Sequence, residues 1–241
     1  MTAGPLLFLR YALPPNERGL CGPADTPALR GHSESGAMGG ELTALIQGFE
    51  GAWPYLQLIA AANGIGDPLD ERVVAAYWVG NGLLDRIDVA AYGAFLQERF
   101  SARAGRGWAP IAATVPAGAV PHHSCHVFCV YPWIGLLREG RTDPSLGILD
   151  SCRISWGQVK LADPLVVTRR QLTWNDRTGV LALGQPAPAT ASPGFVTGLQ
   201  PGEWVSLHWG CVCDRLTLPQ VHALRRYTEL HLRMTRLDLG R

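Results

Sequence analysis

The chain has 241 residues, of which 47% are hydrophobic, and its 21 basic and 20 acidic side chains leave a net charge of +1. That length allows one or two domains around a large core, and so balanced a charge carries no nucleic-acid footprint. No apolar run reaches spanning length, because QLIAAANGIG and HVFCVYPWIGLL are each broken by Gly or Pro, so no membrane partner is expected.

The N-terminus, MTAGPLLFLRYALPPNERG, has a short apolar patch without a basic lead or a small-residue cleavage site. This predicts a cytoplasmic protein. Six cysteines, at positions 21, 125, 129, 152, 211 and 213, then read as free thiols or metal ligands before they read as disulfides. Cys21 lies in Arg18-Gly19-Leu20-Cys21-Gly22-Pro23, where glycines on both sides let a backbone come close to a ligand. A partly exposed thiol and a buried loop cysteine are equally compatible with it. GHSESGAMGG at 31–40 is Gly/Ser-rich and predicts a loop.

From 41 to about 103 the chain reads as helical. Leu42, Leu45, Ile46 and Phe49 fall on one helical face. Pro54 suits the first turn of the next helix, which carries Tyr55, Leu56, Leu58 and Ile59 and stops at Asn63-Gly64. Val73, Val74, Tyr77 and Trp78 make a third stripe, and Asp88 can cap a helix bearing Val89, Tyr92, Leu96 and Phe100. ARAGRGWAP at 102–110 breaks this pattern.

The stretch PHHSCHVFCVYPW places His122, His123, Cys125, His126 and Cys129 within eight residues. On a helix His122 and His126, or Cys125 and Cys129, would lie one turn apart and could chelate one ion. In an extended chain residues four apart are roughly 13 Å distant. The β-branched and aromatic run HVFCVY favours an extended segment from 126 onward, with Cys129 as a small core residue. On that reading His122 and His123 form a polar loop feeding a core strand and are the stronger functional candidates, with Cys125 and His126 secondary.

After Asp150 the character changes. ISWGQVKLA, LVVTRRQLTW, GVLALG and EWVSLHWGCV are short β-prone runs separated by turn residues, spacing that suits a small antiparallel barrel or sandwich. Cys211 and Cys213 alternate on the strand that continues from the last of these. TLPQVHALRRYTELHLRM closes the chain as a helix, with Thr217 as cap, Val221, Leu224, Tyr227, Leu230 and Met234 facing inward, and His222 and His231 on the polar side. The expected fold is therefore α+β. A mainly helical domain with a His/Cys loop occupies 1–150, and an OB-like β-barrel with a C-terminal helix occupies 151–241.

Residues Cys152-Arg153-Ile154-Ser155-Trp156-Gly157-Gln158-Val159 resemble the opening of the HypC/HupF family of hydrogenase assembly chaperones. Some fifty residues later, Pro201-Gly202-Glu203-Trp204-Val205-Ser206-Leu207-His208-Trp209-Gly210 is similar to that family's Gly-x-[Trp/Tyr]-Val-x-[Val/Leu]-His-x-Gly strand, and a helix follows as it does there. The resemblance covers 152 to about 234. It implies a barrel whose cysteine, Cys152 here, handles iron transiently or contacts a partner, with His208 close by. The implied partners are a hydrogenase large-subunit precursor and a HypD-like scaffold protein. The family cysteine is N-terminal, whereas Cys152 is internal, and Trp156 stands where a turn proline is expected. YALPPNERGLCGPAD, FEGAWPYLQLIAAANGIGDPLD, VVAAYWVGN and PHHSCHVF resemble an uncharacterised hydrogenase-associated family that brings no known activity.

No phosphate loop, GxSxG elbow, HExxH or dinucleotide fingerprint occurs, which argues against an ordinary hydrolase or oxidoreductase, and the resemblance to HypC/HupF implies a maturation chaperone before a catalyst. The alternative is a metal-dependent enzyme with an interdomain Cys/His site. Cys152, His208, Cys21, His122 and His123 are the metal- or partner-binding candidates, and iron is the cofactor or cargo the resemblance implies. A transfer-competent Cys152 thiolate would need a depressed pKa, for which Arg153 is the local source of positive charge.

Overall fold

The computed structural model describes residues 3–104 and 108–236. It opens on α1, Gly4–Asn16, where Leu7, Phe8, Leu9, Tyr11 and Leu13 are all buried. A helix buried on every side has no amphipathic stripe, and for that reason the periodicity does not betray it. α2, Thr26–Ser35, is capped by the Asp25 side chain, which accepts from the Ala28 N–H at 3.1 Å. Its last turns absorb residues 31–35 of the segment expected to be a loop.

The amphipathic helices follow as α3 Gly40–Gln47, α4 Trp53–Ala62, α5 Glu71–Trp78, α6 Val89–Ala104 and α7 Trp108–Thr114. Leu42 and Ile46, Tyr55 and Ile59, and Val73 and Val74 point from their stripes into the core. Asp88 caps α6 by accepting from the Ala91 N–H at 2.8 Å. A short turn α8, His123–Cys125, runs directly into a π turn at His126–Val130. α9, Trp133–Arg138, and α10, Thr142–Cys152, lead to the sheet.

β1 Ser155–Ala162, β2 Leu165–Asn175, β3 Val180–Thr190, β4 Trp204–His208 and β5 Cys211–Leu216 form one sheet of order β3-β2-β1-β4-β5. Every neighbouring pair is antiparallel. Gly157, opposite Arg169 on one side and Val205 on the other, has no room for a side chain. A Cβ there would lie 2.5 Å from Val167 Cγ1 and 2.7 Å from the Thr168 carbonyl oxygen. The expected barrel is not closed among the described residues: β3 and β5 remain the two edges, and one isolated bridge, Ser192 to Cys211, joins the chain beyond β3 to β5.

α11, Leu218–Met234, begins with a capping box between Thr217 and Gln220, which satisfies two otherwise unpaired N–H groups. Val221, Leu224 and Tyr227 from α11 join Leu7, Phe8, Tyr55, Tyr77 and Trp78 from the helices, Ile154 from just before β1 and Cys213 from β5 in one core. The step from helix to strand falls between Cys152 and Ser155. Residues at that step therefore face both parts of the molecule.

Candidate metal centre

The His/Cys loop takes a form that its β propensity does not predict. Residues 126–130 are a π turn and not an extended segment. His122 caps the turn, its Nδ1 accepting from the Ser124 N–H at 3.0 Å, and the Tyr131 N–H closes it on the His126 carbonyl at 3.2 Å. Among the described residues no strand lies alongside to pair this segment, so its backbone groups are satisfied internally and tertiary context overrides propensity. Val127 and Phe128 are buried, Cys129 and Val130 half-buried, and Tyr131 is 37% exposed.

The turn sends its histidines to opposite sides. His122 stacks on Tyr227 at 5.1 Å between ring centroids, inside the core. Its Nδ1 shares the Ser124 hydroxyl with His231 Nδ1, each at 2.7 Å. His231 is thus fully buried and not on a solvated face of α11, whereas His222 is exposed. Cys125 is buried beside Cys129 and accepts from the Tyr92 hydroxyl at 3.3 Å.

His123 faces the other way. One ligand atom each from His123 in α8, Cys152 at the end of α10 and His208 at the end of β4 lie within 4.8 Å of one another. Backbone carbonyls fix both rings. His123 Nε2–H donates to the Cys152 carbonyl at 2.8 Å, which leaves Nδ1, and the Tyr77 hydroxyl meets that atom at 3.2 Å. His208 Nδ1–H donates to the Tyr11 carbonyl at 2.6 Å, and its Nε2 is buried with no partner. An imidazole held by one nitrogen with the other presenting a lone pair is the usual arrangement of a metal-ligating histidine. Trp78 packs on both rings, 4.7 Å from His123 and 5.8 Å from His208.

Burial sets the charge state of the cluster. It pushes His208 down to about 4 and, with the neighbouring His208, pulls His123 well below the ordinary imidazole value. It pushes the Cys152 thiol up to about 12, with Cys21 adding to the rise. The expected depression by Arg153 does not occur. The Arg153 guanidinium is 1% exposed and turned to the Asp150 carboxylate, at 2.9 and 3.1 Å, and to the Arg170 carbonyl. Burial therefore favours the neutral forms of all three groups, a thiol and two imidazoles.

The cluster lies on the wall of a small cavity of about 70 Å³, well below the size of a small-molecule pocket. Cys21 and His126 line it too. The Cys21 residue is exposed, yet burial lifts its thiol to about 11. Asn16, 3% exposed, holds this loop: Nδ2 donates to the Cys21 and Pro23 carbonyls, both at 2.8 Å, and Oδ1 accepts from the Thr26 hydroxyl at 2.8 Å. His126 Nδ1 is engaged by the Tyr55 hydroxyl at 3.0 Å. Of the residues singled out from sequence, the fold brings Cys152, His208 and His123 together, sets Cys21 and His126 on the same cavity, and places His122 and Cys125 elsewhere. Tyr77 and Trp78, read from sequence only as a core stripe, and Asn16 and Tyr11, which carry no local signal, support the site.

Fold and site together define an α+β protein with a His₂Cys cluster, its ligand atoms spaced so that they could hold a metal ion, where its helices meet its sheet. The chain belongs to a family of unknown function, DUF6390, whose model matches residues 1–241. No curated protein and no solved structure matches it. Among the described residues, no helix is long and apolar enough to cross a membrane.

Proposed function

We propose that this protein is an accessory factor in metalloenzyme assembly that takes a transition-metal ion on His123, Cys152 and His208 and passes it to a partner subunit. The observation that carries the reading is the convergence of three ligand atoms within 4.8 Å from three separate elements. The partnerless, buried Nε2 of His208 adds weight, because a buried polar atom left without a partner is costly unless something completes it. One sulfur and two imidazoles suit iron, cobalt, zinc or copper better than magnesium or calcium. Three protein ligands leave a coordination position for an incoming group, as transfer requires and as a closed structural site would not. Cys21, on the same cavity, is available as the thiol that meets the ion on its way in or out.

The specific setting we propose is [NiFe]-hydrogenase maturation in the cytoplasm, with iron as cargo. The large-subunit precursor, or a HypD-like scaffold, would be the partner. Support comes from the resemblance of 152–159 and 201–210 to HypC/HupF, whose two motifs supply Cys152 and His208 to one site. In this reading the open sheet with its Ser192–Cys211 bridge acts as a small OB-like barrel. The test is Cys152→Ala in cells that depend on this gene for hydrogenase activity. Maturation should be lost while the purified variant keeps its thermal stability. Normal maturation with normal folding would remove Cys152 from the mechanism.

A further inference from the structure

Trp209 and Gly210 form the two-residue turn between β4 and β5, joining the paired residues His208 and Cys211. Both have positive φ, 52° and 76°. Turns of this hand favour Asn, Asp or Gly at the first position, and a bulky aromatic in the left-handed region is an outlier that needs a reason. The turn is tied to the neighbouring helix end, because the Trp209 N–H donates to the Ser151 carbonyl at 2.9 Å. That bond sets the indole against the cavity that holds Cys152 and His208. The indole Nε1–H is buried and has no hydrogen-bond partner, and Trp209 and Cys152 line the same cavity.

A protonated thiol is a poor acceptor, whereas a metal-bound thiolate accepts charge-assisted hydrogen bonds. We propose that Trp209 is a positioning residue of the metal centre, its indole N–H donating to the Cys152 sulfur when that sulfur binds metal as a thiolate. The thiol proton leaves to solvent as the metal–sulfur bond forms, and no electron is transferred. Such a donor withdraws charge from sulfur and orients its lone pairs, as partners beyond the ligands do at metal sites generally. It also accounts for the residue in the turn, since Gly or Asn would satisfy the backbone but supply no indole.

This inference rests on the metal-binding reading above, and the experiment separates the two. Wild type, Trp209→Phe and Trp209→Gly are titrated with Co(II), following the sulfur-to-cobalt charge-transfer band and the affinity. Trp209→Phe keeps the bulk of the ring, and Trp209→Gly relieves the backbone strain while keeping the N–H to Ser151. Both variants should bind Co(II) roughly tenfold more weakly, with the band moved to longer wavelength because the sulfur is more electron-rich. A wild-type band that is unmoved in both variants overturns the role of Trp209, even if affinity falls, because a purely structural defect would weaken binding without changing the sulfur. If wild type shows no sulfur-to-cobalt band, the metal-binding reading itself fails and the inference fails with it.

Discussion

The sharpest consequence of the cluster's neutral state concerns pH. To bind a metal as thiolate, Cys152 must lose a proton from a group that burial holds at about 12. At pH 7 this costs roughly 7 kcal/mol, which the metal–sulfur bond must offset. The histidines add no such cost above about pH 6, because His208 lies at about 4 and His123 is also held low. Co(II) uptake should therefore release a single proton, and the logarithm of the apparent association constant should rise by about one per pH unit from about pH 6 to pH 9. Competition with a chromophoric chelator at fixed ionic strength gives the slope, and an indicator in weak buffer counts the released proton. Cys152→Ala should flatten the slope and lower the affinity. A wild-type slope near zero would refute thiolate ligation. A slope near two would mean that Cys21, whose thiol also lies high at about 11, joins as a second thiolate and that the site is not three-ligand.

Two further outcomes follow from burial. His126 and His208 lie at about 4 in the fold against about 6.5 in the unfolded chain, so the unfolded state takes up protons first as pH falls. Their stabilisation is complete above about pH 6.5 and is lost as pH drops through 4, about 3 kcal/mol for each. Urea unfolding at pH 7 and pH 4.5 reads this directly, and equal stability at both would contradict neutral burial. Asp150→Ala would leave the buried Arg153 guanidinium without its carboxylate, costing about 3–5 kcal/mol. A thermal melt within a degree or two of wild type would show that the pair is dispensable.

Much of this fold can be read where a pattern is local. The stripes Leu42/Ile46 and Val73/Val74, the Asp88 cap and the Thr217–Gln220 box lie within a few residues of what they determine. α1 escapes because its buried faces, from Leu7 to Leu13, leave no periodicity. Residues 126–131 mislead because Val, Phe and Tyr favour strands, yet among the described residues no strand pairs with them. His231 looks solvated from helical spacing alone, and only the arrival of Ser124 buries it with a partner. The raised Cys152 pKa is partly legible, since Asp150 stands three residues before Arg153, just past the end of α10, and is its natural partner. Cys152, His208 and His123 each carry a separate signal in the sequence. That they share one point in space depends on α8, α10 and β4 meeting, and no local pattern encodes it. Asn16 and Tyr11 matter through backbone contacts that sequence does not display.

X-ray absorption of the protein loaded with one equivalent of Co(II) tests the metal centre most directly. The expected first shell holds one sulfur, from Cys152, and two imidazole nitrogens, from His123 and His208, with the sulfur contribution gone in Cys152→Ala. A shell of nitrogen and oxygen alone, or a sulfur signal that survives the loss of Cys152, would contradict the His123–Cys152–His208 site.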